Sequence, residues 1–218
     1  MLLLRDVNKQ FTELKIQTEI KSLLSKNFIQ FRKKDPIKEV TFEDLQAVLL
    51  RTQPPPKKKN ISICDYNEIC SNVYVGDWNT AKNLNLLLSL GITHVVNAAQ
   101  GIGFGMVDTN EQFYRPFNIQ YMGLALCDDP NVAINEYFDS VSNFIDDALS
   151  QKGKVLVHCI MGISRSATIT IAYLMIKKGL RAKEAVEKVK KARDIRPNNG
   201  FLKQLAQLDN DRIHINNI

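Results

Sequence analysis

The residues of this chain best placed to do chemistry lie in the segment KVLVHCIMGISRSATIT, residues 154–170. An apolar, β-branched run ends at His158, a short loop containing Gly162 follows, and an apolar helix begins near Ser164. Where the carboxyl end of a strand feeds a helix N-terminus, unpaired backbone N–H groups converge and cradle an anion. Gly162 lets that loop fold tightly or approach its neighbours closely. Cys159 stands at the rim of the cradle. A free thiol titrates near pH 8.5, but at a helix N-terminus beside a cation the range is roughly 3.5–7.5, and the thiolate is the nucleophile. Arg165 opens the helix, and its planar fork matches two oxygens of a phosphate. Cys-x5-Arg in this setting encodes attack on phosphorus and a cysteinyl-phosphate intermediate. The guanidinium and the amides stabilise the charge electrostatically, so no metal or cofactor is called for. The bland alternative is an inert buried cysteine before an ordinary helix. The joint occurrence of His158, Cys159, Gly162 and Arg165 in strand–loop–helix context is too specific for that alternative.

Cleaving a phosphate ester also requires a proton for the leaving oxygen. A carboxylic acid on a separate loop can give it and then take one from the attacking water. The segment LALCDDPN offers Asp128 and Asp129 at the end of an expected strand, on the same sheet edge as the cradle. Both are also ordinary turn residues ahead of Pro130. Cys127, beside them, is read as a strand-end core residue that could meet Cys159 in a protective disulfide on oxidation.

The elements that must position these groups alternate. Strands are expected over 72–77, 92–99, 119–126 and 154–158, the last short and apolar enough to be central. Helices are expected over 80–91, 135–153, 164–179, 181–194 and 199–212, with Gly91 and Gly153 as C-caps. That order implies an α/β fold, with a central, mainly parallel twisted sheet flanked by helices. Ahead of it, TFEDLQAVLL is a short helix with Thr41 as N-cap and Asp44 at its third position. Residues 3–32 carry apolar side chains at helical spacing, one or two amphipathic helices ending before Pro36. The chain thus divides into a helical, basic extension (1–40), a short helix with the linker RTQPPPKKKN (41–60), and a catalytic domain (61–218).

Of 218 residues, 44% are hydrophobic and 24% charged, which excludes wholesale disorder. No apolar run approaches the roughly 20 residues of a membrane span. MLLLRDVNKQ reads neither as a secretory signal nor, with Asp6, Glu13 and Glu19, as a mitochondrial presequence. Four scattered cysteines without a CxxC pair argue against a disulfide framework or a structural zinc, and for a reducing cytoplasmic or nuclear setting. The net charge of +6 belongs to residues 1–60, with 13 basic and seven acidic residues, while 61–218 hold 16 of each. Within the latter, residues 177–196 contain nine Lys/Arg against three acids, which points to acidic, phosphorylated partners rather than nucleic acid.

HCIMGISRSAT resembles the HCxxGxxR-S/T signature of cysteine-dependent protein phosphatases, and its Arg-Ser-Ala-Thr continuation resembles the dual-specificity branch. NVYVGDWNTA, LGITHVVNAAQG, YFDSVSNFIDDAL, AYLMIKKG and RPNNGFLKQL extend the likeness to the small atypical dual-specificity phosphatases of the VHR type over about residues 61–212. TFEDLQAVLL is similar to the family's N-terminal helix, and residues 1–40 have no counterpart. The resemblance implies a phosphatase acting on phosphotyrosine and phosphoserine/threonine. It implies Cys159 as nucleophile, Arg165 as phosphate ligand and Asp128 as general acid/base. The backbone amides from Ile160 through Met161, Gly162, Ile163 and Ser164 to Arg165 would form the cradle. Ser166 would carry the hydroxyl that stabilises the departing thiolate, and His158 would support the nucleophile's surroundings. Asn97 and Asn198 match loop-bracing positions, and Arg193 a position that can hold a second phosphate on doubly phosphorylated, MAP-kinase-like partners. The loop lacks the lysines of relatives that act on inositol lipids, RNA-directed relatives continue Arg-Thr-Gly, and tyrosine-specific relatives are longer. A phosphoprotein-binding scaffold with little turnover is the alternative. The oligomeric state is open.

Overall fold

The computed structural model describes Lys15, residues 17–21, 38–56 and 63–216. Residues 1–38 and 39–218 are two compact units. Lys15 and residues 17–21 are helical, and the rest of the helices expected over 3–32 lies outside the described residues, as do 57–62 of the linker region.

In the second unit, helix α1 (Phe42–Arg51) starts at Thr41, whose hydroxyl accepts from the Asp44 N–H while the Asp44 carboxylate accepts from the Thr41 N–H, a reciprocal capping box. Strands β1 (Tyr66–Cys70), β2 (Val73–Gly76), β3 (His94–Asn97), β4 (Gln120–Gly123) and β5 (Val155–His158) form one sheet in the order β1-β2-β5-β3-β4. Only β1 is antiparallel to its neighbour. The short apolar strand ending at His158 is therefore the central one, buried at every position.

Side-chain alternation divides the core in two. Val73, Val75, Val96, Val155 and Val157 face a large cluster with α1, α5 (Phe138–Ser150), α6 (Arg165–Lys178), α7 (Ala182–Ala192) and α8 (Asn199–Asn216). Tyr74, Val95 and Leu156 face a smaller cluster with α2 (Trp78–Lys82), α3 (Leu84–Leu90) and α4 (Glu111–Tyr114). Helix α6 is buried at every position from Arg165 to Met175 because it lies between the sheet and α5, α7 and α8. Its N-terminus is thereby fixed directly over the end of β5.

Several local expectations are corrected. The single helix expected over 80–91 is two, because Asn83 ends α2 and its side chain also caps α3 by accepting from the Leu86 N–H. The strand expected over 119–126 stops at Gly123, where the chain turns toward Asp128. Gly153 is not a C-cap. Helix α5 ends at Ser150, Lys152 takes the left-handed conformation (φ 61°), and the Gly153 N–H returns to the Ala148 carbonyl. Strand β1 was not expected at all. It is a half-exposed edge strand with a bulge between Glu68 and Cys70, and its polar Asn67 and Glu68 hide the alternation.

Candidate active site

The loop from Cys159 to Ser164 has a single organising feature: its carbonyls point outward and are all taken. The Ile160 carbonyl accepts from the Trp78 N–H (2.9 Å), Met161 from Arg193 Nη2 (2.9 Å), Gly162 from Arg193 Nε (2.6 Å), and Ile163 from the Arg196 N–H (2.7 Å). Ser164 accepts from both the N–H and the hydroxyl of Thr168. None of the N–H groups of Ile160 to Ser164 donates to a protein group among the described residues. A peptide whose C=O is held outside aims its N–H at the opposite side, so the donors converge inside the loop, a nest for an anion. Gly162 sits left-handed (φ 68°), and a Cβ there would lie 2.5 Å from the Gly76 carbonyl oxygen. Both the conformation and the contact exclude a side chain.

Arg165 is 4% exposed. Its Nη1 donates to the carbonyls of Gly105 (2.8 Å) and Leu126 (2.9 Å), while its Nε is buried and has no hydrogen-bond partner among the described residues. A buried charged donor left unpaired costs free energy, so the guanidinium is anchored on one side and open on the other. Cys159, 2% exposed, places Sγ 3.3 Å from Ser166 Oγ. His158 is fully buried. Burial pushes its pKa down to about 4, while the Cys159 carbonyl at Nδ1 (3.3 Å) and the Asp77 carboxylate pull the other way. A pKa that low makes the ring neutral at pH 7, a carbonyl facing Nδ1 favours the tautomer with its proton there, and Nε2 has no hydrogen-bond partner among the described residues.

The two candidate acids separate by geometry. Asp128 Oδ1 accepts from Ser164 Oγ (2.7 Å) and Asn198 Nδ2 (2.9 Å), and Oδ2 lies 3.8 Å from Arg165 Nε. Asp129 instead accepts from the Asn131 N–H in its own turn. The side chain of Asn198 also accepts from the Phe201 N–H, so one residue both caps α8 and holds Asp128. Asn97 braces the 98–109 loop through Ala99, Val107 and Thr109, and that loop supplies the Gly105 carbonyl to Arg165.

Other expectations change. Arg193 is 3% exposed, and its five N–H groups meet five acceptors: Asp65 Oδ1 and Oδ2, Asn67 Oδ1, and the Met161 and Gly162 carbonyls. As placed, it has no donor left for a second phosphate. The basic run 177–196 is likewise largely engaged, with eight of its nine cations in ion pairs to six carboxylates. Cys127 is exposed and Leu126 takes the core position, so the cysteine is not a core residue, and all four cysteines are free thiols. Sequence reasoning missed Asp77, whose carboxylate accepts from Thr80 N–H, Thr80 Oγ1 and the Asp65 N–H, and which fixes the turn carrying Trp78. The N-cap spacing Asp77–Thr80 was the available signal.

Residues 73–211 match the family model described as dual specificity phosphatase, catalytic domain. The chain belongs to the dual specificity phosphatases. Among curated relatives, the human dual specificity protein phosphatase 13B is 45% identical over 145 residues, 66% of this chain and 72% of the relative. The mouse protein of the same name is 42% identical over 154 residues, 70% and 77% of the two chains. The crystal structure of the human tyrosine phosphatase-like serine/threonine/tyrosine-interacting protein is 33% identical, with a TM-score of 0.59 over 69% of this chain and 97% of that one. Membership makes this a cysteine-based protein phosphatase of the α/β class, in a family that acts on phosphorylated proteins. Among the described residues no group of three or more His, Cys, Asp or Glu is arranged to hold a metal ion, and no helix is long and apolar enough to cross a membrane.

Proposed function

We propose that this dual specificity phosphatase hydrolyses phosphotyrosine and phosphoserine/threonine on proteins through Cys159. The observation that carries the reading is the half-anchored Arg165: a buried guanidinium whose Nε has no hydrogen-bond partner among the described residues, at the end of a loop of unpartnered amides and next to Ser166, whose hydroxyl lies 3.3 Å from the buried Cys159 thiol.

A phosphate monoester enters with its non-bridging oxygens on the amides of Ile160–Ser164 and on Arg165. The Cys159 thiolate attacks phosphorus as the P–O bond to the side chain breaks. Asp128 gives its proton to the leaving oxygen. Its Oδ1 already accepts twice, which leaves Oδ2, the oxygen nearer Arg165, to carry that proton. Water then attacks the cysteinyl phosphate, Asp128 takes a proton from it, and inorganic phosphate leaves as the P–S bond breaks. The Ser166 hydroxyl, 3.3 Å from Sγ, stabilises the thiolate as it re-forms. Neutral His158 transfers no proton and holds the Cys159 carbonyl.

The partners we propose are phosphorylated proteins of the cytoplasm or nucleus. MAP-kinase-like, doubly phosphorylated substrates fit only if a second phosphate displaces Asp65 from Arg193. Hydrolysis of p-nitrophenyl phosphate by the full chain tests the reading. Cys159→Ser should abolish turnover and retain phosphopeptide binding. Turnover that survives Cys159→Ser overturns it.

A further inference from the structure

We infer that Asp65, which lies outside the 73–211 segment matched to the family, is a positioning residue for phosphoryl transfer, acting through Arg193 on the loop that cradles phosphate. This rests on the reading of Cys159 and its loop as the reacting centre.

Arg193 alone supplies the outside bonds of two consecutive cradle peptides, Met161 and Gly162. Their N–H groups aim inward only while their carbonyls stay on the guanidinium. The guanidinium is in turn oriented by the fork-to-fork pair with Asp65, at 3.1 and 2.8 Å. Asp65 is itself anchored. Its carbonyl accepts from the Asp77 N–H (3.0 Å) and its N–H donates to Asp77 Oδ1 (3.2 Å). The residue after Asp77, Trp78, donates to the Ile160 carbonyl. Three successive cradle carbonyls, 160 to 162, are thus held by one bracket built from Asp65, the 77–78 turn and Arg193.

Arg193 is buried whereas the Asp65 side chain is 69% exposed. An exposed carboxylate adds little to stability, but this one sets the direction of a buried cation. Without it, Arg193 loses two of its five acceptors and the planar fork is no longer held in register. Misplacing reacting groups by about 1 Å can cost on the order of 10²-fold in rate, so a partial loosening should register at about tenfold.

The test compares full-length wild type, Asp65→Asn and Asp65→Ala, with orthovanadate as the probe of the cradle and p-nitrophenyl phosphate as substrate. Asp65→Ala should raise the vanadate inhibition constant and lower kcat/KM by about 10-fold, with a folded circular dichroism spectrum at the assay temperature. Asp65→Asn, which keeps the shape and one acceptor, should fall between, and it carries the test if the alanine variant does not fold. Vanadate affinity and kcat/KM within twofold of wild type in a folded variant would overturn the proposal, as would a loss that only tracks the unfolded fraction. If wild type fails to bind vanadate, or Cys159→Ser retains turnover, the reading of the reacting centre fails first and the role of Asp65 falls with it.

Discussion

His158 should make the protein's stability depend on pH in a way that a single substitution can isolate. The ring is fully buried, and its pKa lies at about 4 against an ordinary 6.5. Between those values the unfolded chain binds a proton that the folded chain refuses. Stability therefore rises with pH across this window, is complete above about 6.5, and has lost its full increment below about 4. The gap of about 2.5 units is worth roughly 3 kcal/mol in total, of which about 2 kcal/mol is already lost at pH 5. Other groups titrate in the same range, so the informative quantity is a difference. His158→Asn keeps an N–H donor near the Cys159 carbonyl and has no proton to gain. Urea unfolding of both proteins at pH 7.5, 6, 5 and 4.5 should show wild type losing about 2 kcal/mol more than the variant by pH 5. A difference that does not change with pH would refute the reasoning, because His158 would then ionise equally in both states. A difference of opposite sign would make His158 a cation in the fold and bring its charge back into the account of Cys159.

Two further substitutions test the acid and its support. Asp128→Asn should lower turnover about 10²–10⁴-fold while phosphopeptide binding by the Cys159→Ser background persists, and steady-state kinetics with Asp129→Asn as the partner experiment would reverse the assignment if only the latter lost activity. Gly200 lies under the acid loop, where an added Cβ would sit 1.8 Å from the Pro130 carbonyl oxygen and 2.5 Å from its carbon. Gly200→Ala must move that backbone, so kcat should fall at least about tenfold with vanadate affinity unchanged; a loss of vanadate affinity instead would place the damage in the cradle.

The central parts of the fold were legible in the sequence because they are largely apolar and carry no Asp, Glu, Lys or Arg. VLVH must be buried on both faces, and SATITIAYLM can be solvated on none, so a central strand and a covered helix follow from composition alone. The parts that were misread are those where a polar side chain serves the backbone. Asn83 splits one apparent helix by capping in both directions, and Lys152 adopts the left-handed turn expected of Gly153. Strand β1 failed for a related reason: at the sheet edge, Asn67 is spent on Arg193 and Glu68 on the Asn72 N–H, so the polar residues that obscure the strand are working side chains.

The same division runs through the site. Cys159, Gly162, Arg165 and Ser166 are read together because they lie on one contiguous loop and the helix start that follows it. The groups that hold the loop's carbonyls are spread along the chain from Asp65 to Arg196, and nothing local marks them. Arg193 illustrates the difference. Resemblance and charge made it a ligand for a second phosphate, and its sequence neighbours agreed, since they too are basic. In the structure its guanidinium is paired with Asp65, 128 residues earlier, whose carboxylate takes two of its five N–H donors. A charge count over residues 177–196 could not register that pairing, nor those of the seven other cations of the run that meet a carboxylate. The net charge of the catalytic unit near zero is thus not only cancellation at a distance. Part of it is pairing at contact, whereas the Nε of buried Arg165 has no hydrogen-bond partner among the described residues and lies 3.8 Å from Asp128 Oδ2.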